Sequence, residues 1–159
     1  MERNLIEELG SLALATRLKN LSDRLARDVA QIYKESAFDF EPRWFAMIYA
    51  LKDGEELAVT ELSVMLGQTH PAVNQVANVL VEKGLAQERK DASDQRKRLL
   101  KLSAKGQQLV EKMNGTWDRI KEANDQLLKE SASDLLSTLD NVESALDDQS
   151  MFERVKSRG

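Results

Sequence analysis

A chain of 159 residues, 42% hydrophobic and 31% charged, is long enough to bury one or two cores and too apolar for its body to be disordered. It has no cysteine and one histidine, which leaves no material for thiol chemistry and little for a structural zinc site, so no metal and no cofactor are expected. A net charge of -4 argues against indiscriminate coating of nucleic acid, because that behaviour needs a broad positive field.

Seven glycines and two prolines favour long helices over a turn-rich sheet. The start, Met1 to Ile6, has no long apolar run behind it, and no segment is apolar enough to span a bilayer, so a cytoplasmic address is expected. From Leu5 to about Glu35, the residues Leu9, Leu14, Leu18, Leu21, Leu25, Val29 and Ile32 recur at helical spacings, with only Gly10 to interrupt them. This predicts one long amphipathic helix. Phe38 to Pro42 form a break, and Pro42 suits the first turn of a second helix carrying Trp44, Phe45, Ile48 and Leu51, which Lys52, Asp53 and Gly54 stop. A short third helix starts near Val59 or Thr60 and ends at Gly67. Thr69 and Pro71 then open a fourth, whose buried side is Val73, Val76, Ala77 and Leu80 and whose end is Gly84.

The helical period then gives way. Leu85 to Lys90 and Arg98 to Leu102 read as two strands around a polar loop, with Leu100 and Leu102 on one face. Ser103 begins another long helix with a stripe of Leu109, Val110, Met113, Trp117, Ile120, Leu127 and Leu128. A last helix carries Leu135, Leu136, Leu139, Val142 and Leu146, after which Asp147 to Gly159 is expected to fray.

The order helix, turn, helix, strand, wing, strand is a device for reading DNA: the second helix of the pair enters a major groove and the hairpin tip lies along the neighbouring backbone. Gln68, Thr69, His70, Asn74, Gln75 and Asn78 are polar groups on or near the open side of the expected reading helix, and amides of this kind pair bidentately with adenine. Positive charge is concentrated where a wing would need it, with Arg89, Lys90, Arg96, Lys97, Arg98 and Lys101 set against only Asp91 and Asp94.

Over Leu57 to Gln107 this sequence resembles the multiple-antibiotic-resistance regulator (MarR) family of winged-helix proteins. The resemblance is carried by Asp94-Gln95-Arg96 followed by Leu102-Ser103-Ala104-Lys105-Gly106, which fits the pattern D-x-R, five residues, L-[T/S]-x-x-G, and by Leu80-Val81-Glu82-Lys83-Gly84-Leu85 before it. The resemblance implies a homodimer on a palindromic operator of double-stranded DNA, acting as a repressor relieved by a small ligand. It gives Thr69, His70, Asn74 and Gln75 major-groove roles, Asp94 a role in organising the wing, and Arg96 a minor-groove contact. One departure is that the reading helix holds neither arginine nor lysine before Lys83, which weakens any guanine-directed contact from a cation there.

The expected fold is mainly α with a small β-hairpin wing: a winged helix-turn-helix over 42–103, a helical dimerisation region formed by 1–36 and 104–148, and a flexible or loosely docked tail over 149–159. Each local signal also has a plain structural reading. His70 equally caps or solvates a helix start, Asn74, Gln75 and Asn78 equally form a wet face, and Asp94 equally braces Arg96 or Arg98. Trp44, Phe45, Tyr49 and Trp117 are candidates to line a ligand crevice for a small aromatic effector, or are core. An enzyme is not expected, because Glu41, Asp53, Glu55, Glu56 and Glu61 form no catalytic constellation and no phosphate loop occurs. The remaining alternative is a winged-helix interaction module, or the regulatory part of a larger enzyme, without DNA binding of its own; the basic wing opposes it.

Overall fold

The computed structural model describes residues 4–131 and 134–158, so the expectation for Met1 to Arg3 lies outside the described residues. The chain forms two compact units, Met1–Asn114 and Gly115–Gly159.

In the first unit, Asn4 caps a short helix α1 (Leu5–Glu8), and a 3-10 turn over Gly10–Ala13 leads into α2 (Leu14–Glu35). The single helix expected from Leu5 is therefore broken. Gly10 sits at φ +54°, a left-handed conformation that costs glycine nothing because it has no Cβ. Along α2 only Tyr33 is buried, whereas Leu14, Leu18, Leu21, Leu25 and Ile32 remain exposed as an apolar stripe. Tyr33 meets Phe40 edge-on at 4.8 Å between ring centroids, and Phe40 meets Trp44 at 5.8 Å, so an aromatic chain joins α2 to the next helical segment. Pro42 opens a 3-10 turn (Pro42–Trp44) continuing into α3 (Phe45–Ala50), as its fixed φ favours.

A two-residue strand β1 (Leu57–Ala58) precedes α4 (Val59–Met65) and α5 (His70–Glu82), and the hairpin β2 (Ala86–Lys90) and β3 (Arg98–Leu102) comes next. The sheet is antiparallel in the order β1-β3-β2, with Leu57 opposite Leu100 and Ala86 opposite Leu102. Sequence periodicity reveals only the two hairpin strands, because β1 is too short to show a period of two. Its effect is to make β3 the central strand and to bury Leu100 fully. Trp44, Met47, Ile48, Leu51, Leu62, Val73, Leu80 and Leu100 are the large side chains at the centre of this core. Each aliphatic side chain so buried stabilises the fold by about 2 kcal/mol.

Helix α6 (Ala104–Glu130) begins in the first unit and continues into the second. The second unit then holds α7 (Leu135–Asp148), capped by Asp134, and α8 (Met151–Lys156). Fraying from Asp147 is not what the structure shows. Ser150 and Glu153 form a reciprocal capping box, and the Arg154 Nε donates to the Gln149 carbonyl at 2.8 Å, so the expected loose tail is helical over Met151–Lys156. Leu136, Val142, Leu146, Met151, Phe152 and Val155 are exposed on these two helices. Among the described residues no helix is long and apolar enough to cross a membrane.

Candidate nucleic-acid interface

The two helices of the helix-turn-helix are locked at their turn. The Gln68 N–H donates to the Ser63 carbonyl at 3.1 Å, and the Ser63 hydroxyl, itself buried, donates back to the Gln68 carbonyl. Thr69 then caps α5, its hydroxyl oxygen accepting from the Ala72 N–H at 3.4 Å. Because Thr69 does the capping, the cap reading of His70 falls away, and His70 lies exposed in the opening turn beside Pro71. With Val73, Val76, Ala77 and Leu80 buried, the face left to solvent carries Gln75 and Asn78, with Gln68, Thr69 and His70 at its amino-terminal end. Asn74 is half-buried on the side of α5 that meets β3.

The wing is ordered by its own carboxylates. Asp91 Oδ1 accepts from the Ser93 N–H at 2.7 Å, the Ser93 hydroxyl at 2.6 Å and the Asp94 N–H at 3.2 Å. These bonds, the Ser93 hydroxyl first, hold its carboxyl below the ordinary aspartate range. A depressed carboxylate lends stability above its unfolded pKa and loses it only as pH falls through the folded value, so this turn stays intact across the neutral range. Asp94 Oδ1 accepts from the Arg96 N–H at 3.0 Å and, more weakly, from its Nε at 3.3 Å, while the Lys97 N–H donates to the Asp94 carbonyl at 2.9 Å. By charge alone Asp91 is a mere countercharge, yet Asp-x-Ser is the spacing of a side-chain turn, and that is the role it takes.

Of the six basic residues, the five nearest the wing tip divide into two groups, and Lys101 is exposed farther along β3. Arg89 is turned onto Glu56, its Nε 3.0 Å from one carboxylate oxygen, and this pairing raises its pKa further. Arg98 donates its Nε to Glu88 and its Nη1 to Asn74 Oδ1, the latter at 3.0 Å. Lys90 and Lys97 are exposed, and the Arg96 side chain is 93% exposed with only the long Asp94 contact beside it. Paired guanidiniums are poorly placed to neutralise phosphate, so Lys90, Arg96 and Lys97 form the outward basic edge. Glu56 and Glu88 are the functional neighbours that sequence reasoning misses, since acidic partners 33 and 10 residues away from their arginines leave no local signature.

The expected crevice residues are divided between the two units. Trp44 is wholly buried, and its Nε1–H has no hydrogen-bond partner among the described residues. Phe45 and Tyr49 are partly exposed neighbours at 5.3 Å, and Trp117 belongs to the second unit. A cavity of about 420 Å³ in the first unit is lined by Phe38, Leu85 and Leu109 together with Lys83, Lys105 and Lys112. Asp39 pairs with Lys83 there at 2.9 Å.

Residues 38–97 match the MarR family model, a span that takes in the helix-turn-helix and the wing as far as Asp94-Gln95-Arg96, and ends before Leu102 to Gly106. No curated protein sequence matches the chain. Among solved structures, the MepR–DNA complex of S. aureus aligns with a TM-score of 0.69 at 22% identity, covering 83% of this chain and 97% of that one. A cysteine-to-serine mutant of MarR from E. coli, complexed with operator DNA, aligns with a TM-score of 0.66 at 19% identity over 91% of this chain and 99% of that one. The PcaV transcriptional regulator from Streptomyces coelicolor, in complex with its natural ligand, gives 0.64 at 18% identity over 94% and 99%. At these identities the structures establish a shared fold.

Proposed function

We propose that this chain, MarR-like by the family match over residues 38–97 and winged-helix by its fold, is a sequence-specific regulator of transcription that binds double-stranded DNA. The observation that carries the reading is the capped helix α5, whose open face carries Gln75 and Asn78, followed in the chain by a wing on which Lys90, Arg96 and Lys97 are exposed. A helix in the major groove and an arginine at the adjoining minor groove require that pairing. In this reading residues 42–103 bind DNA, with Gln68, Thr69, His70, Asn74, Gln75 and Asn78 at the groove, and the protein works in the cytoplasm. The basic edge disfavours a winged interaction module without DNA binding.

Residues 1–36 and 104–148 pair two copies. The support is the exposed stripe of Leu14, Leu18, Leu21 and Leu25 on α2, with Leu136, Val142 and Leu146 on α7, apolar surface that a soluble single chain rarely leaves uncovered. The regulator acts as a repressor relieved by a small ligand; the cavity beside Phe38 and Leu109 supports a ligand, as does the PcaV neighbour with its natural one.

Selection of bound fragments from random duplex DNA tests the function. A two-fold dimer is expected to enrich a palindrome whose half-sites are about one helical turn, roughly 10 base pairs, apart. Failure to enrich any sequence would overturn the reading. Light scattering of the purified chain is expected to give twice the 18.0 kDa chain mass at micromolar concentration, and a monomer mass would remove the pairing proposal.

A further inference from the structure

We infer that Arg98 is a strut between the wing and the reading helix, a positioning residue that holds the two at a fixed spacing for DNA without itself touching base or phosphate. This rests on the DNA-binding reading and deepens it. The hairpin is anchored in the core only at its base, where Ala86, Leu100 and Leu102 are buried. From 87 to 99 no residue is fully buried, so apolar packing does not fix the direction of the outer wing. Arg98 stands at the outer end of the ladder, opposite Lys90, and shares its strand face with Leu100 and Leu102. That face turns its side chain back toward α5.

The bonds it makes there join three elements. Its Nε donates to Glu88 on β2, and its Nη1 donates at 3.0 Å to the Asn74 oxygen in the second turn of α5. Among the described residues this is the only hydrogen bond between α5 and either hairpin strand. Both donors belong to one rigid planar group, which fixes the separation of Glu88 and Asn74 more closely than a flexible ammonium would. With its side chain 25% exposed and its charge paired with Glu88, Arg98 is poorly placed for phosphate. Its effect is to order the wing before DNA arrives. Helix and wing tip engage different grooves, and a wing free to pivot would have to be ordered at each binding event, at a cost in affinity.

The test is selection from random duplex DNA with the full chain and with Arg98→Met, which keeps a long stem and removes both bonds. The wild type is expected to enrich an A/T-rich flank at fixed spacing from each half-site, where Arg96 meets the minor groove. In Arg98→Met the half-site is expected to persist while the flank loses its enrichment. Affinity for the wild-type operator is expected to fall about tenfold, with the slope of log affinity against log salt unchanged. Asn74→Ala cuts the strut from the helix side and is expected to lose the flank as well, whereas Asn74→Asp keeps an acceptor for Arg98 and is expected to retain it. A global loss of stability would lower affinity without erasing the flank alone. A flank absent from the wild type or kept by Arg98→Met or Asn74→Ala, or a salt slope lowered by about one in Arg98→Met, overturns the inference. A wild type that enriches no sequence overturns the DNA-binding reading instead. The strut has its own readout in the free protein: amide hydrogen exchange over residues 91–97 is expected to quicken in Arg98→Met while Leu100 stays protected. Unchanged exchange in the wing would overturn the strut whatever the DNA result.

Discussion

Gly106→Ala is expected to destabilise the first unit by about 3 kcal/mol, read as a fall in the urea midpoint. A Cβ at this position would lie 2.1 Å from the Leu85 carbonyl oxygen and 3.3 Å from the Leu102 Cβ. Neither neighbour is a flexible side-chain end. The Leu85 carbonyl already accepts from the Ser103 N–H at 3.0 Å, and the Ser103 hydroxyl donates to the Gly84 carbonyl at 2.6 Å while accepting from the Gly106 N–H at 3.1 Å. Alanine would therefore push the start of α6 off the strand entry and strain three bonds together. This is the physical content of the glycine in Leu102-Ser103-Ala104-Lys105-Gly106: its backbone packs directly against the turn that leads from α5 into the wing. Gly115 supplies the contrast within the same helix. A Cβ there meets only the end of the Arg119 side chain at 4.0 Å, so Gly115→Ala is expected to stabilise by up to about 1 kcal/mol, the helix-propensity gain. If the two alanines shift the midpoint alike, close packing is not what Gly106 provides.

Arg96→Ala is expected to weaken binding to a selected operator by about tenfold or more, and to lower the slope of log affinity against log salt by about one. Its side chain projects from the wing tip into solvent, and its charge is permanent and forked, which suits the negative potential of a narrow minor groove. Arg96→Lys is expected to restore only part of the affinity, because it returns the charge without the planar fork. Full rescue would mean plain phosphate attraction, and wild-type affinity in the alanine variant would remove Arg96 from the interface. Loss of the wing fold is a separable outcome. The turn is held chiefly by Asp91 through Ser93 and the Asp94 N–H, and the substitution removes only the 3.3 Å Nε contact to Asp94 while keeping the backbone N–H bond to it, so melting and the mass in solution are expected to stay unchanged.

The parts of this molecule legible in its sequence are those with local causes. Pro42 in a first turn, Thr69 as a cap, Leu100 and Leu102 sharing a buried face and Ser103 opening a helix all depend on residues within a few positions of one another. Periodicity passes over Gly10 as a tolerated interruption, yet its freedom at positive φ divides the helix, since a hydrophobic pattern does not register a backbone angle. The capping box at Ser150 and Glu153 is a readable signal, masked by the surrounding Asp and Glu that suggest a frayed end. What the sequence withholds is long-range pairing. That β1 covers β3, that Glu56 takes Arg89, and that Arg98 reaches Asn74 are consequences of the folded topology, and they leave Lys90, Arg96 and Lys97 as the outward members of the five cations nearest the wing tip.

Whether this chain distinguishes one DNA sequence from another is tested most directly by titration. The protein is titrated, at physiological salt, against the duplex recovered by selection and against a scrambled duplex of the same composition and length. A sequence-specific regulator is expected to show an affinity ratio of about a thousandfold or more, with both affinities falling as salt rises. Equal affinities for the two duplexes would contradict sequence-specific recognition.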